Sequence, residues 1–68
     1  MSDENERLER AQTLLEQGQQ LGARGDARGA LRAYEELLSL GEAMEHKGVI
    51  GAARGSLGTA YDRVGPQV

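Results

Sequence analysis

Between Ala27 and Met44 the apolar side chains return at intervals of three and four: Ala27, Ala30, Leu31, Tyr34, Leu37, Leu38 and Met44. Arg28, Arg32, Glu35, Glu36 and Glu42 fall largely between them. An α-helix completes a turn every ~3.6 residues, so this spacing collects the apolar groups on one side of a rod and the charges on the other. A strand would need alternation with a period of two. No part of the chain alternates in that way, and β-branched residues are few. The spacing predicts an amphipathic helix over 27–45, running through Gly41.

The same period extends to both sides. Leu8, Ala11, Leu15 and Gly18 recur at three and four, with Leu14 and Leu21 widening the stripe, which predicts a helix over 4–23. Asp3, with Glu6 three residues on, fits a capping box for its first turn. Arg24-Gly25-Asp26 reads as a stop followed by a restart. Gly25 can adopt the left-handed conformation that closes a helix, and Asp26 can accept from the free amides of the next one. The pattern loosens at Glu45-His46-Lys47-Gly48, a predicted turn. It resumes with Val49, Ala52, Ala53, Leu57, Ala60, Tyr61 and Val64, a third helix over 48–64 ended by Gly65-Pro66. Arg32 and Glu36, one turn apart, are placed to pair on the surface. The expected fold is all-α: an antiparallel helical hairpin plus a third helix, forming a single unit over 1–68.

Composition narrows the function. A chain of 68 residues forms one domain at most and buries a modest share of its surface, so its stability is expected to be marginal. Without cysteine it has neither disulfides nor thiolate metal ligands. Apolar runs stop at two or three residues, too short for a membrane span. The acidic opening Asp3-Glu4-Asn5-Glu6 is unlike a secretory or mitochondrial leader, so the expected location is cytoplasmic. A net charge of −3, with arginines scattered among acids and only Tyr34 and Tyr61 as aromatics, offers neither a basic face nor stacking platforms for nucleic acid.

Ten glycines ought to weaken helices, and close helix packing is the expected reason for them. They also repeat. Gly18 and Gly58 stand forty residues apart, as do Gly25 and Gly65, and Leu21 and Tyr61 hold matching places. The run Leu14-x3-Gly18-x2-Leu21-x3-Gly25-Asp26-x3-Ala30-x3-Tyr34-x2-Leu37 resembles the tetratricopeptide-repeat family in its order of large, glycine, large, Gly-Asp, alanine and aromatic positions. A second copy begins at Leu57-Gly58-Thr59-Ala60-Tyr61-x3-Gly65. The forty-residue interval looks like the longer variant of the repeat in the G-protein-signalling-modulator and cell-polarity group, where a Leu-Gly-Asn-Ala-Tyr run is common. The likeness covers residues 11–65 and amounts to about one and a half repeats. Leu14 stands where an aromatic is usual, Arg54 holds that place in the second copy, Gln17 replaces a leucine, and Pro66 replaces the aspartate after Gly65.

What the resemblance implies is a scaffold or adaptor that binds a peptide or partner protein, with no reaction of its own. Family members line a groove with the first helix of each repeat. Carried over by position, that groove takes Gln12, Leu15, Gln19, Gly22 and Ala23 from the first copy, and Ala52, Gly55, Ser56, Thr59, Asp62 and Arg63 from the second. The Lys and Asn set with which chaperone-binding members grip a terminal carboxylate is missing from these places. Gln12, Gln19, Thr59 and Arg63 remain able to hydrogen-bond an extended or acidic peptide. Matching repeat positions make Tyr34 and Tyr61 expected core residues. A repeat normally hides its apolar face against the next. The third helix is therefore expected to leave Leu57 and Tyr61 uncovered, which suggests the alternative of a structural assembly piece or truncated fragment that self-associates, as a homo-oligomer, or completes a larger solenoid.

No catalytic, metal or cofactor site is expected. His46 is the single histidine and sits in a predicted turn near Glu42 and Glu45, a solvated loop residue rather than a ligand. Ser2, Ser39, Ser56, Thr13 and Thr59 have no partner arrangement that would activate them. Glu35-Glu36 reads as a solvated helix face. The glycine-rich stretches lack the preceding strand and following Lys-Ser/Thr of a phosphate loop.

Overall fold

The computed structural model describes residues 2–64, which form three helices: α1 (Ser2–Ala23), α2 (Ala27–Met44) and α3 (Lys47–Val64). The all-α hairpin plus third helix is the observed architecture. Among the described residues no helix is long and apolar enough to cross a membrane. The expected stop at Gly65-Pro66 lies outside the described residues.

Both turns are the same structure twenty residues apart. After α1, Gly25 N–H donates to Gly22 O (3.0 Å) and Asp26 N–H to Leu21 O (2.8 Å). After α2, Glu45 N–H donates to Glu42 O (3.1 Å) and His46 N–H to Gly41 O (3.0 Å). Each pair of bonds satisfies carbonyls that a helix end leaves free, and each needs a left-handed residue at its centre. Gly25 takes that place with φ 91° and Glu45 with φ 54°. The next residue then caps the following helix. Asp26 Oδ1 accepts from Gly29 N–H at 2.9 Å, and His46 Nδ1 accepts from Val49 N–H at 3.2 Å. Glu45 therefore ends α2 rather than belonging to it. His46, expected as a solvated loop residue, is half-buried and starts α3 at Lys47. At the other end α1 begins at Ser2, so Asp3 and Glu4 lie inside its first turn and Asp3 is not the cap.

Because the turns are tight, α2 lies between α1 and α3 and packs along both, while α1 and α3 scarcely meet. The result is a thin slab with principal extents of 44 × 21 × 13 Å. Its surface of 4907 Å² exceeds the roughly 4,200 Å² that the scaling law gives a compact globule of this mass. The thinness is thus a shortage of burial. The core is one cluster: Ala11 and Leu14 of α1; Ala30, Tyr34 and Leu37 of α2; Ala53, Leu57 and Ala60 of α3. Leu37, 2 % exposed, stands at its centre, and Leu15, Leu21, Leu31, Leu38, Leu40 and Val49 pack around it. Leu57 is buried here, contrary to the expectation that α3 would leave it uncovered; it turns toward α2. Glu36 pairs across to Arg10 of α1 (3.9 Å, both exposed) rather than with Arg32 of its own helix.

Close packing accounts for some of the helix glycines and not others. Ring atoms Cζ and Cδ1 of Tyr34 lie 2.7 and 2.8 Å from where a Cβ on Gly18 would stand, so α2 approaches α1 through the missing side chain. Gly41 likewise admits the first turn of α3, with Val49 Cγ1 at 2.8 Å from its absent Cβ. At Gly51, Gly55 and Gly58 a Cβ would meet nothing within 4 Å, and all three are exposed.

Candidate functional site

The edges of α1 and α3 that look at each other across α2 are built from small residues. Gly22 and Ala23 stand on α1, Ser56 and Ala60 on α3. Neither edge reaches far enough to close over the middle helix. A cleft of about 300 Å³ opens there, floored by Ala27, Ala30 and Tyr34 of α2. Ala30 and Tyr34 are nearly fully buried, so the floor is fixed by the core itself. Gln19, Thr59 and Arg63 complete the rim, and Arg63 is the one charged residue lining the cleft among those described.

Two hydrogen bonds shape that rim. Arg63 Nη1 donates to Gly22 O at 3.1 Å, joining the last turn of α3 to the last turn of α1. A guanidinium carries five N–H donors in a planar fork, so most of its donor capacity stays free beside the cleft. Thr59 Oγ1 donates to Gly55 O at 3.3 Å within α3, which leaves its oxygen as an acceptor toward the opening. Among the described residues no buried side-chain polar atom lacks a partner.

The seam between α1 and α3 opens a second time at its other end. This cleft of about 230 Å³ is lined chiefly by carbon: Leu8, Ala11 and Leu15 of α1, Leu37 of α2, and Val49 and Ala52 of α3, with Gln12 and His46 at its edge. The sequence-predicted groove residues therefore separate into two groups. Gln19, Thr59 and Arg63 share the first cleft with Gly22, Ala23 and Ser56. Gln12 and Leu15 share the second with Ala52. Asp62 and Gly55 line neither and are exposed on α3.

Sequence reasoning missed the floor. Ala30 and Tyr34 were assigned to packing alone, yet the packing of Tyr34 on Gly18 is what holds its ring under the cleft. Tyr61 is 48 % exposed, against the core place its repeat position implies and in keeping with the expectation that α3 leaves it uncovered. Ser56 lines the first cleft and His46 the second, so no cleft holds both the hydroxyl and the imidazole. Among the described residues no three His, Asp or Glu side chains gather as metal ligands.

Comparison with protein families, with curated proteins and with solved structures finds no match to this chain.

Proposed function

We propose that this chain is a protein-binding module of the tetratricopeptide type, a scaffold or adaptor without a reaction of its own that works in the cytoplasm. It takes an extended segment of a partner protein in the cleft over Ala30 and Tyr34. The observation that supports this most is the make-up of that cleft. An apolar floor set by the core is ringed by Gln19, Ser56, Thr59 and Arg63, each able to hydrogen-bond a peptide backbone or side chain. At about 300 Å³ it stands at the small end of ligand sites, which suits one or two side chains of a peptide rather than a large cofactor. Arg63 adds a preference for carboxylate, because a guanidinium and a carboxylate match in charge and in paired geometry.

The test is selection of linear peptides from a displayed random library, followed by fluorescence anisotropy with the selected sequences. Filling the cleft by Ser56→Phe is expected to weaken binding at least tenfold, about 1.4 kcal/mol or more. Arg63→Glu removes the bond to Gly22 O as well as the cation, so binding is compared at matched helicity, where acidic peptides are expected to weaken selectively. Peptides that bind Ser56→Phe as well as the original chain, or a library that yields no binder, would sink this reading.

A further inference from the structure

The floor of the first cleft carries a polar atom that packing does not use. Tyr34 is 7 % exposed and its ring lies on Gly18, so nearly all of the side chain is core. Its hydroxyl makes no hydrogen bond to any described residue. No buried side-chain polar atom among those residues lacks a partner, so this oxygen is reached by solvent. The opening that the ring lines is the first cleft. A hydroxyl at the end of a buried ring usually finds a partner in the protein. This one is left to whatever enters the cleft. A second donor stands near it. Arg63 Nη1 lies 3.2 Å from the place of an absent Cβ on Gly22, as Cζ of Tyr34 lies 2.7 Å from that of Gly18. Gly18 and Gly22 are one turn apart on the same face of α1, positions separated by about 5–6 Å. The two glycines thus let a phenol from α2 and a guanidinium from α3 come down on adjacent turns of α1. One bond of Arg63 is committed to Gly22 O, and the rest of its fork is open. Among the described residues no carboxylate lines the cleft or pairs with Arg63.

We propose that the Tyr34 hydroxyl and Arg63 together select an acidic side chain, a glutamate of the partner, as the group that reaches the floor of the cleft. This rests on the first cleft being the peptide site. Two donors over neighbouring turns, one of them charged, match the two oxygens of a single carboxylate, with bonds of about 2.5–2.9 Å. The hydroxyl is deep, because the ring that carries it belongs to the core, whereas Gln19, Ser56 and Thr59 stand on the rim. Glutamate holds its carboxylate beyond two methylenes. Its main chain can stay at the rim while the methylenes pass between Ala23, Ala27 and Ala60. A carboxylate at a chain end is joined directly to Cα. To reach the same depth it would draw the main chain and the last side chain into about 300 Å³.

Nuclear magnetic resonance titrations of the full chain at matched ionic strength test it with three probes: N-acetylglutamate methylamide, N-acetylglutamine methylamide, and N-acetylleucine with a free carboxylate. The glutamate probe is expected to bind roughly tenfold more tightly than the glutamine probe, because hydrogen bonds to a charged group are the stronger kind. Tyr34→Phe leaves the ring on Gly18 and removes only the oxygen. The melting temperature should hold, while the preference for glutamate falls by a factor of roughly five. An oxygen that served the fold alone would move the melting temperature and leave the preference unchanged. Equal binding of the glutamate and glutamine probes overturns the proposal. So does a preference untouched by Tyr34→Phe, tighter binding of N-acetylleucine, or a glutamate probe that does not bind at all. Ser56→Phe separates this failure from that of the cleft. If Ser56→Phe blocks the probes and Tyr34→Phe changes nothing, the cleft is the site and only the acidic-group assignment falls. Probes that bind Ser56→Phe as well as the original chain remove both.

Discussion

Gly18 and Gly55 look alike in the sequence, each a glycine inside a predicted helix, yet replacing them with alanine should move stability in opposite directions. Alanine is favoured over glycine in a helix interior by about 0.8–1 kcal/mol at both positions. At Gly55 nothing opposes that gain, because the new Cβ meets no atom within 4 Å. The melting temperature should rise by about 4–8 °C, the shift that ~1 kcal/mol produces in a domain of 60–100 residues. At Gly18 the new Cβ would stand 2.7–2.8 Å from ring atoms of Tyr34, against an ordinary carbon contact of about 3.5–4.0 Å. Tyr34 is only 7 % exposed and belongs to the core cluster, so its ring yields only by disturbing its neighbours. Overpacking of this kind costs ~1–3 kcal/mol, which leaves Gly18→Ala less stable by about 1 kcal/mol after the propensity gain. Far-UV circular dichroism through a thermal melt reads both variants. Combining Gly18→Ala with Tyr34→Leu should show a coupling on the order of 1 kcal/mol, since the contact is removed from both sides. If Gly18→Ala melts as high as Gly55→Ala, Tyr34 does not rest on Gly18. The account of how α2 meets α1, and with it the fixed floor of the cleft, would then be wrong.

Two further substitutions probe the turn and the core. Glu45 holds a left-handed conformation at φ 54°, so Glu45→Gly should stabilise the chain by about 1 kcal/mol in a thermal melt; a loss would show that the glutamate side chain contributes something beyond its backbone. Leu37→Ala removes the most central side chain at a cost of ~2–5 kcal/mol, comparable with the whole stability of a domain this small, and should abolish the cooperative melt; a sharp transition near the original temperature would refute the single-core description.

Periodicity made the helices legible because α2 buries one stripe against both neighbours, and Ala30, Tyr34 and Leu37 mark that stripe at intervals of four and three. Gly25-Asp26 was legible for the same reason that it works: only glycine enters the left-handed region freely, and a short carboxylate reaches the third amide of the next helix. Glu45-His46 makes the same turn with residues that carry no such signal. Glutamate is an uncommon occupant of the left-handed region, and imidazole acts as a cap only through the bare nitrogen that accepts from Val49. The groove residues that the repeat resemblance implies fall in two clefts, with Asp62 and Gly55 in neither. Whether they share one cleft depends on Gly22 and Ala23 being too small to close it and on Arg63 reaching Gly22 O, a bond across 41 residues. Tyr61 was assigned to the core by analogy with Leu21. Leu21 is half-buried because α2 lies beside α1, and no described helix lies on the corresponding side of α3.

The proposed cleft depends on the stability of α3. That helix carries three glycines with no intramolecular contact at their bare positions. Its place in the fold rests on Ala53, Leu57 and Ala60 against α2, and on the bond from Arg63 to Gly22. Any ligand that binds the ordered helix and not the frayed one stabilises it by mass action. A peptide in the cleft needs Ser56, Thr59 and Arg63 in place. Binding therefore carries part of the cost of ordering α3, and the linkage is reciprocal. Peptide should raise the melting temperature of the chain, and Gly55→Ala, which firms α3 without lining the cleft, should tighten peptide binding.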